Sequence, residues 1–142
     1  MKIKSIKIHN YRSIKDAEFM LDDYNVLVGA NNSGKTNILT ALRIFYEDGV
    51  KFNEKIDFPK FHTDDKESWI EIEYLLTDDE FKNLKDDYKN LGNILKVRKY
   101  LKSEDPQRVK SNQSNIYAYE KGRLSTNLFY GGKIFPKQNL VR

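Results

Sequence analysis

The segment Gly29-Ala30-Asn31-Asn32-Ser33-Gly34-Lys35-Thr36 constrains this chain more than any other. It fits the pattern Gly-x-x-x-x-Gly-Lys-[Ser/Thr] at every defined position. Such a loop works only between a buried strand and a helix, because its backbone N–H groups must converge on an anion while the helix N-terminus adds unpaired donors and its dipole. Gly29 and Gly34 allow the close approach and the dihedrals this turn requires. Both flanks agree with that demand. Asn25 to Val28 is a short apolar run, and beyond Lys35 an apolar stripe of Ile38, Leu39, Ala41, Leu42 and Phe45 follows helical spacing, with Gly49 as its stop.

The ligand such a cradle suits is a nucleoside triphosphate. Gly29, Asn31, Asn32, Ser33 and Gly34 are expected to line it. Lys35 bridges the β- and γ-phosphates as the catalytic cation, and the Thr36 hydroxyl is the expected metal ligand, holding Mg²⁺. Asn37, next along the helix, is within reach of the α-phosphate. The plainer alternative is a glycine turn capping an ordinary helix. ATP with Mg²⁺ is the expected cofactor pair, since no Asn-Lys-x-Asp guanine-reading motif occurs.

Composition narrows the remaining classes. The chain has 142 residues and no cysteine, which excludes a disulfide framework, a thiolate zinc site and a cysteine nucleophile. No apolar run approaches the roughly 20 residues of a bilayer span, and the N-terminus lacks a continuous apolar signal region. A cytoplasmic protein without membrane contact is the expectation. The net charge of +4 hides an asymmetry: residues 96–142 carry 11 basic and 3 acidic side chains. That fits either an acidic partner such as nucleic acid or a solvated lysine-rich surface.

Strands are expected over residues 2–8 and 17–21. The alternation from Trp69 to Leu76 predicts a strand with Ile70, Ile72, Tyr74 and Leu76 on one face and a wet face carrying Glu71 and Glu73. Thr77-Asp78-Asp79-Glu80 is a capping box, predicting a helix that shows Phe81, Leu84, Tyr88 and Leu91 and ends at Gly92. A strand over 94–101 and a hairpin of 115–120 with 124–130 around Lys121-Gly122 complete the reading.

Two stretches resemble a known group. "KIKSIKIHNYRSIKDAEF" and "NVLVGANNSGKTNILTALR", with the spacing between them, are similar to the N-terminus of ABC-type ATPase heads of the RecF, SMC and OLD (overcoming lysogenisation defect) group. "NYRSI" resembles that group's N-[FY]-R-[SN] element, and "IDFPKFHTDD" followed by "WIEIEYLLTDDEF" resembles the OLD-type nucleases most closely. The resemblance implies an α/β P-loop NTPase: the first lobe of an ABC ATPase head with an antiparallel β-subdomain. Residues 1–49 would hold the strands, P-loop and helix, 50–68 a loop, and 69–142 the β-subdomain with one helix.

It further implies the ATP-binding lobe of an ATP-dependent DNA endonuclease acting in phage defence or DNA repair. Two heads would sandwich ATP in a homodimer or higher oligomer, with DNA as partner. The signature motif, the Walker B Asp-Glu and a Toprim nuclease domain have no counterpart in these residues. The chain is therefore expected to be a truncated head without activity of its own. Phe19 to Asp23 imitates a Walker B strand but precedes the P-loop, and Leu124-Ser125-Thr126-Asn127 lacks the glycine of a signature motif. Two rivals stand beside this reading: a RecF- or SMC-like repair ATPase without nuclease, and a nucleic-acid-binding adaptor with a non-hydrolysing P-loop.

The same resemblance gives Arg12 a place on nucleotide phosphate, against a surface arginine in a hairpin, and Tyr11 a place near adenine, against a core aromatic. Asp57, His62, Asp64 and Asp65 form an acidic loop open to a metal-site reading without diagnostic spacing. Lys96, Arg98 and Lys102 share one strand face, with Tyr100 interleaved and Lys99 on the other face. They suit either a nucleic-acid backbone or solvent.

Overall fold

Alternating Ile and Lys at the N-terminus start a sheet that gathers all the strands of the described residues. The structure, a computed structural model, describes residues 1–20 and 32–129. Its strands are β1 (Lys2–Tyr11), β2 (Ile14–Met20), β3 (Ser68–Leu75), β4 (Ile94–Lys102), β5 (Ile116–Glu120) and β6 (Arg123–Leu124). They form one sheet in the order β2-β1-β3-β4-β5-β6, with every pairing antiparallel. β1 pairs with β3, so the boundary expected at residue 68 does not divide the sheet. The long helix within and beyond the Gly29–Thr36 pattern is α1 (Asn32–Phe45). The loop expected over 50–68 carries a short helix of its own, α2 (Glu54–Asp57), and the expected strand at Asn25–Val28 lies outside the described residues.

The inner face is apolar. Ile6, Ile8, Ile70, Ile72, Tyr74, Leu95, Val97 and Ala118 join one core with α1, which contributes Ile38, Ala41, Leu42, Ile44 and Phe45. Leu39, expected in that stripe, is 42% exposed. It lies one residue past Ile38, roughly 100° around the helix, so it leaves the buried face. Beyond the helix, the Tyr46 and Tyr74 hydroxyls share a buried hydrogen bond that pins the chain to β3.

The other face departs from the simple alternation. Glu71, expected in water, is buried, because Trp69, Tyr100 and Tyr117 cluster on the same side of the sheet and Arg98 stands opposite it in register. The capping box at Thr77 and Glu80 forms as expected, but its helix α3 spans only Asp78–Lys82, followed by a 3-10 turn at Asp86–Tyr88. Leu91 is 98% exposed. A short helix holds only where tertiary packing receives its apolar side, and among the described residues nothing covers Leu91. The hairpin turn at Lys121-Gly122 has two successive positive φ values, 50° and 84°, the conformation that matches the twist of paired strands. Past β6 the pairing continues irregularly, through Ser125 N–H to the Ala118 carbonyl and Phe129 N–H to the Ile116 carbonyl.

Candidate functional site

The turn between β1 and β2 is built from Arg12 and Ser13, and it sits against α1. Asn37 is buried, and its Nδ2 donates to Ser13 Oγ at 3.1 Å. That bond ties the turn to the residue directly after Thr36. Asn37 therefore faces Ser13, a partner that its helical position alone does not reveal. Gly29 and Asn31 lie outside the described residues, while Asn32, Ser33, Gly34, Lys35 and Thr36 belong to the first turns of α1.

Arg12 adopts φ 54°, a left-handed conformation that a non-glycine residue keeps only when its neighbours hold it. The neighbour is Asp57, at the end of α2. Arg12 N–H donates to the Asp57 carbonyl at 2.6 Å, and Arg12 Nε donates to Asp57 Oδ1 at 3.0 Å. The other carboxylate oxygen accepts from Asn53 N–H at 2.8 Å. The Asp57 side chain is 4% exposed, whereas Arg12 keeps 30%. Tyr11, next in the chain, is wholly buried in the core, with its phenol pushed up to about 12 by burial. The core place expected as its alternative is the one it takes.

Two residues before Tyr11, His9 binds two carboxylates at once. Nδ1 meets Asp16 at 2.7 Å and Nε2 meets Asp65 at 3.0 Å, while the ring stacks on Trp69. Burial alone would lower the imidazole pKa, but hydrogen bonds to Asp16 and Asp65 and their charges outweigh it, so the pKa is raised. Asn10 Nδ2 donates to the Glu67 carbonyl at 2.8 Å and to Asp65 Oδ1 at 3.1 Å. The segment after α2 is thus fastened to the end of β1.

The acidic loop does not gather around a point. Asp57 holds Arg12, Asp65 holds His9, and Asp64 pairs with Lys15 at 3.4 Å. Among the described residues no three His, Asp or Glu side chains converge as metal ligands. The basic strand is likewise engaged within the molecule. Arg98 binds Glu71, Tyr100 and Tyr119, and its guanidinium lies 3.7 Å from the Trp69 ring centroid. Lys96 pairs with the same Glu71 at 3.6 Å, Lys102 with Glu54, and the buried Lys99 with Glu47. The face read as open to nucleic acid or solvent is largely an internal ion-pair network. Strand register, which sequence alternation does not reveal, creates it.

Phe19 and Met20 end β2, and the acidic residues after them lie outside the described residues. Leu124 belongs to β6, and Ser125 to Asn127 form a turn in which Asn127 N–H donates to Ser125 Oγ. A concavity of about 1040 Å³ lies at the far end of α1, between Ile44, Val50, Phe52, Lys99 and Ser114.

Sequence reasoning misses two contacts here, Ser13 with Asn37 and Asp57 with Arg12. The motif around Arg12 marks the turn, but only the fold brings Asp57 to it. No helix among the described residues is long and apolar enough to cross a membrane.

Comparison with known proteins agrees with this architecture. A family model described as an AAA ATPase domain matches residues 1–138. Endonuclease GajA of Bacillus cereus (strain VD045) is 38% identical over 100 residues, covering 68% of this chain and 16% of that protein. The DNA replication and repair protein RecF of Rickettsia typhi is 38% identical over 64 residues, 44% of this chain and 18% of the relative. The chain thus spans less than a fifth of either protein. Among solved structures, one from work on ATP-driven dimerization and DNA-stimulated activation of SMC ATPases superposes with a TM-score of 0.56 at 13% identity, over 99% of this chain and 76% of that one. The chain belongs to the AAA ATPase domain family.

Proposed function

We propose that this chain is the ATP-binding lobe of an OLD-like, ATP-dependent DNA endonuclease. The observation that carries the nucleotide site is the Asn37–Ser13 bond, which joins the β1–β2 turn to the helix that follows Gly34-Lys35-Thr36. The residues suit the ligand. A 14-residue helix opens at Asn32, within the Gly29–Thr36 pattern, and a half-buried arginine lies in the turn that Ser13 joins to that helix. Backbone donors of Gly29, Asn31, Asn32, Ser33 and Gly34 would cradle the phosphates, with Lys35 and Arg12 adding positive charge. Thr36 would hold Mg²⁺, which when bound neutralises phosphate charge.

The endonuclease assignment rests on the longer match to GajA, 68% of this chain against 44% for RecF. In the whole protein, ATP binding would couple two heads in a dimer acting on DNA in the cytoplasm, in phage defence or repair. A repair ATPase without nuclease is the alternative. Asp57, Asp64 and Asp65 are engaged by Arg12, Lys15 and His9, so this chain is expected to turn over ATP no faster than its Lys35→Ala variant. Calorimetric titration with ATP and Mg²⁺ tests the site. Lys35→Ala should weaken binding at least about tenfold by removing a charge-assisted interaction. Equal affinity in folded wild type and variant would refute it.

A further inference from the structure

We infer that Asp57 is a positioning residue for Arg12, holding its guanidinium by Nε so that the two terminal nitrogens meet a nucleotide phosphate. This rests on the nucleotide-site reading above and deepens it. Asp57 grips Arg12 twice over, by main chain and side chain, at 2.6 Å and 3.0 Å. Its second carboxylate oxygen is occupied by Asn53 N–H, which fixes the carboxylate plane. A buried carboxylate on a half-exposed arginine is an asymmetric pair. The acid is fixed by its partners, and the arginine side chain keeps 30% exposure in a turn that Ser13 joins to α1. Guanidinium geometry permits this double use, since its five donors lie in one rigid plane and one edge can serve a carboxylate while another serves a phosphate. An ammonium cannot divide its charge this way. The Ser13–Asn37 bond sets the distance from turn to helix, and Asp57 sets the direction of the arginine.

A double-mutant cycle read by ATP–Mg²⁺ calorimetry tests this on the whole 142-residue chain. Arg12→Ala should weaken binding about tenfold to a hundredfold, the range of a hydrogen bond to a charged group. Asp57→Asn should weaken it several-fold when Arg12 is present and leave it unchanged when Arg12 is already alanine. Unaltered affinity in Asp57→Asn, or an equal loss in both backgrounds as for mere scaffolding, overturns the inference. Should Asp57→Asn fail to unfold cooperatively, Arg12→Lys carries the test. It is expected to bind nearly as poorly as Arg12→Ala, and wild-type affinity there overturns the inference. The Lys35→Ala variant separates the two levels. If it binds ATP as wild type does, the nucleotide-site reading itself has failed. If it loses affinity while Asp57→Asn has the same effect in both backgrounds, only the positioning role has failed.

Discussion

Arg12 and Arg98 are both arginines bound to buried carboxylates, yet their surroundings differ. Arg98 uses Nε, Nη1 and Nη2 on Glu71, Tyr100 and Tyr119, with Trp69 against its face. Its capacity is absorbed by the sheet, and Tyr119 also donates to Glu71 at 2.5 Å. Arg12 meets Asp57 through Nε at a turn and keeps nearly twice the exposure, 30% against 17%. The first arginine is held by the fold and still faces outward; the second is part of the fold. Positive charge in a sequence therefore says little about availability until the acids around it are placed.

The largest effect expected from this contrast is on stability. Arg98→Ala leaves the Glu71 carboxylate buried with weaker partners and should destabilise by about 3 kcal/mol in denaturant unfolding, without changing ATP affinity in the folded protein. Arg12→Ala should cost less stability, about 1 kcal/mol, while weakening ATP binding. Equal destabilisation by the two would erase the distinction. Asn37→Ala removes the side-chain bond between α1 and the Arg12 turn, and should cost about 1 kcal/mol together with a measurable drop in ATP affinity. Wild-type affinity in that variant would detach the turn from the site.

A smaller effect should come from His9. Its pKa is raised in the folded state by Asp16 and Asp65, against the opposing effect of burial. The stabilisation is thus fully present below the unfolded value of about 6.5 and is lost as pH rises through the folded value. Thermal unfolding between about pH 6 and pH 9 should show this loss, of up to about 1 kcal/mol, and His9→Gln should abolish it. For Asp65 the direction is opposite. Its pKa is lowered, against the effect of burial, by His9 and the Glu67 N–H, so its contribution disappears as pH falls through that depressed value.

The smallest effect expected is on DNA. Lys96 and Lys102 are already paired with Glu71 and Glu54. Changing both to Gln should leave any salt dependence of DNA binding nearly as it was. If these lysines neutralised phosphates directly, the slope of log K against log salt would instead flatten by about 0.9 for each phosphate left without its cation. A flattening of that size would return this strand to the DNA-facing surface.

Features that depend on near neighbours are legible without coordinates. The capping box joins Thr77 to Glu80, and Lys121-Gly122 reverses the hairpin, because each involves a few consecutive residues and the dihedrals they tolerate. The strand at Ser68–Leu75 follows from alternation over its own length. The P-loop pattern is a run of consecutive residues, Gly29 to Thr36, and it marks the ATPase relationship that the match over residues 1–138 bears out. Tertiary structure decides the rest. Arg98 meets Glu71 across 27 residues and Arg12 meets Asp57 across 45, and such pairs arise only once sheet register and the path of α2 are set. The end of α3 is decided the same way, because a short helix persists only while its apolar side has a surface to cover. Local chemistry can specify a turn, a cap or a phosphate loop. Which charges remain available depends on partners that only the closed chain brings within reach.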